Sequence, residues 1–168
     1  MREMKAIRRL NTARKLSVRI QSLEASVMSR KVWVFDPHRG GKTIPDSVKA
    51  DVKRRITELA RNEFPGRPIR IELRFRKQLC YVDAYETPSH EDANPPSYWK
   101  GDREEWIQYR SNLPTHLCRL RYFGDDRWSF GFYTYSNERY EPCIFPQNGD
   151  FIGTPEMAFM VSSVYLND

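Results

Sequence analysis

Between residues 48 and 64 the apolar positions Val48, Val52, Ile56, Leu59, Ala60 and Phe64 recur at helical spacing. Lys49, Lys53, Arg54 and Arg61 fall between them, so the stripe is amphipathic and predicts a helix packed on a core. "FPGRP" ends it through Pro65 and Gly66, and Asp46 or Ser47 is the expected cap. The period then shortens to two. Ile69, Ile71, Leu73 and Phe75 alternate with Arg70, Glu72, Arg74 and Arg76, the pattern of a half-buried strand. Lys77-Gln78 is a tight turn, and 79–86 is the returning strand. Further strands are expected in "HLCRLRYF", "RWSFGFYTYS" and "RYEPCIF", joined at Gly124-Asp125-Asp126 and Asn137-Glu138. Pro142 puts the last of these at a sheet edge or a bulge. "GTPEMAFMVSSVYL" predicts a closing helix, with Thr154 as cap and Pro155 at its first position.

Upstream, the apolar run "KVWVF" (31–35) predicts a first strand, and "DPHRGGKTIP" the turn into the helix. Residues 87–114 break the periodicity. "TPSHEDANPPSYWKGD" is polar and proline-rich, hence a loop, while "DREEWIQYRSN" predicts a short helix packing through Trp106, Ile107, Tyr109 and Arg110. An insertion of this length carrying Tyr98, Trp99 and Trp106 is expected to fold over a surface. The order predicts one α+β domain over 31–168, a mostly antiparallel sheet of five to six strands with helices on one face. Residues 1–30 precede it as an arm in which Met4, Ile7, Leu10, Leu16, Ile20, Leu23 and Val27 recur near helical spacing.

A chain of 168 residues fits one domain, which buries roughly 70% of its unfolded surface without disulfides or metal. No window approaches the ~18 consecutive apolar residues of a membrane helix, so no membrane span is expected. Cys80, Cys118 and Cys143 form no C-x-x-C, which predicts reduced thiols on buried strands and a cytoplasmic setting. The net charge of +6 is unevenly placed. Residues 1–31 hold nine Lys/Arg against Glu3 and Glu24, whereas 32–168 hold 19 basic residues against 20 acidic ones. The basicity therefore belongs to the arm. Four roles fit the arm: a helix docked on the domain or on a second subunit, a basic segment for nucleic acid or anionic lipid, a transit peptide, or an extension upstream of a start at Met28. It has no apolar core of a secretory signal.

"DPHRGGKT" (36–43) is close to a phosphate loop, which requires G-x-x-x-x-G-K-[ST]. Asp36 stands where the first glycine belongs, and its carboxylate would repel phosphate. Pro45 biases Ile44 away from helix, so the helix starts too late for its dipole to reach a ligand at Gly41. No nucleotide cofactor is expected. His38, His90 and His116 are far apart, and "SHEDA" (89–93) reads as solvated charge more readily than as a metal site. His116 and Cys118 would share one strand face, but two ligands do not make a zinc site, and no metal is expected. No G-x-S-x-G elbow supports a serine hydrolase. Glu72, Arg74 and Asp83 on adjacent strands are distantly like a nuclease's acidic pair with a basic partner, at a spacing too common to specify one.

Strand alternation sorts side chains onto two faces. If Ile69, Ile71, Leu73 and Phe75 point at the helices, so do Cys80, Val82, Ala84, Cys118, Leu120, Trp128, Phe130 and Phe132. The opposite face then carries Arg70, Arg74, Arg76, Tyr81, Asp83, Tyr85, Arg119, Arg121, Tyr133 and Tyr135. Guanidinium forks bind phosphate or carboxylate, and both side-chain types stack on bases. The face is thus a candidate platform for nucleic acid or an acidic protein partner, with no catalytic residue nominated. Folded under the 87–114 insertion, it is instead a pocket for a small ligand or a reaction. Cross-strand Arg–Tyr and Arg–Asp pairs also occur as plain stabilisers of a solvated sheet. The pattern sets no oligomeric state.

The stretch "LCRLRYFGDDRWSFGFYTYSNERYEPCIFPQNGDFIGTPEMAF", with "VWVFDPHRGGKTIP" upstream, resembles a group of small uncharacterised bacterial proteins over about residues 32–166. The resemblance implies a bacterial cytosolic origin and a start near Met28. It implies no activity.

Overall fold

The structure, a computed structural model, describes residues 36, 39–88 and 93–166. The arm, the strand expected over 31–35, His38, His90 and most of "SHEDA" lie outside the described residues. Helix α1 runs Asp46–Glu63, followed by strands β1 (Ile69–Arg76) and β2 (Leu79–Glu86). Helix α2 (Arg103–Ser111), strands β3 (Thr115–Gly124), β4 (Arg127–Thr134) and β5 (Arg139–Cys143), helix α3 (Pro155–Ser162) and a 3-10 turn (Ser163–Leu166) complete the order. The five strands form one antiparallel sheet in chain order, β1-β2-β3-β4-β5. Pro142 accordingly lies on β5, an edge strand among the described residues, where its missing N–H breaks no ladder bond.

The hairpins are short because their turns hold left-handed residues: Lys77 at φ 54°, Asp125 and Asp126 at 51° and 53°, and Glu138 at 49°. Helix starts follow their local chemistry. Thr154 caps α3 by accepting from the Met157 N–H, with Pro155 next. Asp102 and Glu105 close a reciprocal capping box on α2. The cap of α1 departs from expectation. Pro45 is the N-cap residue and no side chain caps the helix. Asp46 sits inside the first turn instead, where it pairs with Lys49 at 2.7 Å and complements the helix dipole.

One sheet face carries Cys80, Val82, Ala84, Cys118, Leu120, Tyr122, Trp128 and Phe130, all buried against Val52, Ile56 and Ala60 of α1 and Ala158 and Phe159 of α3. Ile69, Ile71, Leu73 and Phe75 flank this core half-buried, so the alternation sorts the faces as expected. Arg55 locks the helical layer to the sheet. Its guanidinium holds Asp126 through two bonds of 2.9 Å, pairs with Glu156 at the start of α3, and reaches Asp51 at 3.2 Å. Helix α2 does not belong to this layer: it leans on β2, and its buried Trp106 lies outside the core cluster. Of its expected packing side, Tyr109 and Arg110 are exposed.

The glycine turn before α1 is part of the sheet's rim. Lys42 N–H donates to the Tyr122 carbonyl at 2.8 Å, and Ile44 N–H to the Lys77 carbonyl at 3.0 Å. Gly41, at φ +97°, approaches so closely that a Cβ would meet the Tyr122 carbonyl at 2.9 Å. The Lys42 and Ile44 amides are thus committed to strand carbonyls, and the glycine turn is tied into the fold. Among the described residues no helix is long and apolar enough to cross a membrane.

Candidate ligand-binding face

Away from the core, the cross-strand register sets the neighbours. Arg70 lies opposite Tyr85, Arg74 opposite Tyr81, Tyr81 opposite Arg119, and Tyr133 opposite Tyr140. Three guanidinium groups lie over phenol rings: Arg70 over Tyr85 at 4.0 Å, Arg74 over Tyr81 at 5.5 Å, and Arg119 over Tyr140 at 5.5 Å. Tyr140 joins these stacks, meeting Tyr81 and Tyr133 edge-on at 5.5 and 4.9 Å. Burial pushes the phenols of Tyr140 and Tyr85 up, so both remain neutral donors.

Beneath the stacks lies Asp83, with 1% of its side chain exposed. A carboxylate this deep needs partners. Its Oδ2 accepts from Arg74 Nε at 2.8 Å and lies 2.7 Å from Nη2 in an ion pair, and its Oδ1 meets His116 Nδ1 at 2.6 Å. A carboxylate can only accept, so Nδ1 carries the hydrogen, and the ring in its neutral form has its lone pair on Nε2. The bond to Asp83 holds the Arg74 guanidinium above the usual arginine value. The His116 ring packs on Tyr133 at 4.8 Å, and its backbone N–H donates to the Tyr135 hydroxyl at 2.8 Å.

His116 reaches this position through an irregularity in the ladder. Val82 pairs with Cys118, but Asp83 pairs with His116, leaving Leu117 as an extra residue that turns into the core. The expectation that His116 and Cys118 share a face therefore fails: the bulge sends the imidazole to the Arg/Tyr face and the thiol to the core. Burial pushes the Cys118 thiol up to about 12, and the Cys80 thiol rises for the same reason.

Of the residues expected from sequence, Arg70, Arg74, Tyr81, Asp83, Tyr85, Arg119 and Tyr133 come together on this face. Arg121 is at its rim, half-buried, donating to the Gly40 carbonyl at 2.8 Å and so anchoring the glycine turn. Burial, and then the charge of Arg119, hold its guanidinium below the usual value. Tyr135 stands past the end of β4, against Tyr133 and Tyr165, and lines a cleft of about 690 Å³ with Arg67, Arg110, Thr115 and Tyr165. Trp99 packs on Trp106 and Tyr109 at 5.1 and 5.2 Å, its ring partners among the described residues, rather than on Tyr81, Tyr85 or Tyr133. Sequence reasoning missed Tyr140 and His116. Tyr140 was legible, since it falls opposite Tyr133; His116 was hidden by the bulge. Among the described residues no group of three His, Cys, Asp or Glu is placed to hold a metal ion. In comparisons with known proteins, the chain matches no family model, no curated protein and no solved structure.

Proposed function

We propose that the Arg/Tyr face is a platform for single-stranded nucleic acid, bound through phosphate contacts and base stacking. The observation that carries this reading is the set of three guanidinium–phenol stacks on one sheet face, above an acid already neutralised by Arg74. Guanidinium forks match phosphate, and phenol and guanidinium planes both stack on bases without demanding one sequence. An acidic protein would use the cations alone and leave the ring surfaces idle, so the aromatic content favours a nucleic acid.

The test is fluorescence anisotropy of labelled single strands on the full-length protein at two salt concentrations, with polyglutamate as competitor. Each single-strand phosphate contact contributes a slope of about −0.7 in log affinity against log salt, so Arg70→Ala with Arg119→Ala should flatten the slope by roughly 1.4. Arg8→Ala with Arg9→Ala should leave most of the binding in place. Binding that vanishes with the arm substitutions and ignores those on the face refutes the platform. Displacement by polyglutamate as effective as by unlabelled strand assigns the face to acidic proteins.

A further inference from the structure

Binding uses Arg74 but makes no use of the Asp83–His116 pair joined to it. Two side chains grip opposite oxygens of one buried carboxylate, and each keeps one polar atom unengaged among the described residues: Nη1 of Arg74 and Nε2 of His116. Among those residues no sealed nitrogen or oxygen of a half-buried side chain lacks a partner, so Nε2 of half-buried His116 is open to solvent, and the Arg74 side chain is 53% exposed. An imidazole and a guanidinium are thus tied to the two oxygens of the same carboxylate.

We propose that this unit is a ribonucleolytic centre in which His116 Nε2 is the general base for the 2′-hydroxyl of bound single-stranded RNA and Arg74 stabilises the phosphate under attack. The inference rests on the platform reading. The 2′-hydroxyl proton passes to Nε2 as the 2′ oxygen forms its bond to phosphorus and the bond from phosphorus to the 5′ oxygen breaks. The leaving 5′ oxygen takes a proton from water, and the imidazolium returns its proton to the hydroxide so formed. The products are a 2′,3′-cyclic phosphate and a 5′-hydroxyl, and no other reactant is consumed. Arg74 supplies Nη1–H to a phosphate oxygen whose charge grows in the transition state. Asp83 is a positioning residue: it holds the tautomer that exposes the base and stabilises the imidazolium that forms. DNA, lacking the 2′-hydroxyl, would bind and stay intact.

The experiment follows anisotropy and denaturing electrophoresis together, using the full-length protein, a labelled single-stranded RNA and the DNA of the same sequence. RNA should be bound and cut to cyclic-phosphate ends, and DNA bound and left whole. His116→Asn keeps an N–H donor toward Asp83 but has no base; it should cut about 10²–10⁴-fold more slowly while binding RNA as the wild type does. Purified in parallel, it also controls for a co-purifying nuclease. His116→Ala should regain part of its activity when imidazole is added, which a purely structural histidine would not do. Both strands bound and neither cut would overturn the centre and leave the platform standing. Cutting that survives His116→Asn would also overturn it, and failure to bind either strand would remove both readings.

Discussion

Asp83→Asn tests the organisation of the face with no change of shape. The wild-type carboxylate accepts one hydrogen bond from Arg74 at 2.8 Å, pairs with its charge at 2.7 Å, and meets His116 at 2.6 Å. Bonds to charged groups contribute about 1.5–3 kcal/mol and neutral ones about 0.5–1.5, so the Arg74 side loses roughly 1–2 kcal/mol. Arg74 is 53% exposed, and water replaces part of what it loses, which favours the lower end. On the other side the new amide N–H₂ meets the Nδ1–H of His116, and two donors cannot face each other. The ring relieves this by moving its proton to Nε2, so that Nδ1 accepts from the new side-chain amide. The variant should therefore lose about 1–2 kcal/mol, a fall of roughly 0.5–1 M in the urea midpoint. Nitrogen-15 NMR of the neutral imidazole should show the hydrogen on Nδ1 in the wild type and on Nε2 in the variant. A midpoint unchanged to within experimental error, with the hydrogen still on Nδ1, would refute the claim that Asp83 orients His116.

Arg55→Ala should destabilise the fold by about 2–4 kcal/mol, because it leaves Asp51, Asp126 and Glu156 facing one another without their common cation. Arg55→Lys should recover only part of this, since an ammonium cannot reproduce the two parallel bonds to Asp126; full recovery in thermal unfolding would contradict the clamp. The third prediction concerns alkaline pH. Burial pushes the Cys118 thiol from 9.0 up to about 12, so the native state keeps a proton that the unfolded chain releases. This group's contribution is complete below pH 9 and is lost as pH rises toward 12, at up to about 1.4 kcal/mol per pH unit. Urea unfolding at pH 8 and pH 10.5 should show the loss, and Cys118→Ala should shrink it. A wild type equally stable at both values would mean the thiol is not sealed in the core.

Most of the fold was legible because its local signals agree. The 3.6-residue stripe of α1 stops at Pro65-Gly66, the period falls to two at Ile69, and the β3–β4 hairpin carries Gly124, Asp125 and Asp126, which suit left-handed backbone. With a two-residue turn at Lys77-Gln78, partners across β1 and β2 follow by counting outward, which is how Arg70–Tyr85 and Arg74–Tyr81 could be expected. What escaped local reasoning is tertiary. The cap of α1 shifted because Ile44 is buried and ties the chain to the sheet rim, which leaves Asp46 free to enter the first turn. The packing side of α2 could not be read because periodicity shows that a helix has an apolar side, not which neighbour meets it.

The deepest omission, His116, has a definite cause. No short turn joins β2 to β3, so nothing in the sequence allows the register across that junction to be counted. The bulge between Val82 and Asp83 then overrides alternation, because Leu117 takes a core position that simple pairing would deny it. In an unbroken ladder His116 would face inward beside Cys118, and Asp83 would be left under the Arg/Tyr face with Arg74 alone. A carboxylate so deeply buried requires its second oxygen to be satisfied as well, and the extra residue is what delivers the imidazole to it. The same one-residue irregularity thus completes the solvation of a buried acid and turns onto the Arg/Tyr sheet face a histidine whose Nε2 has no partner among the described residues.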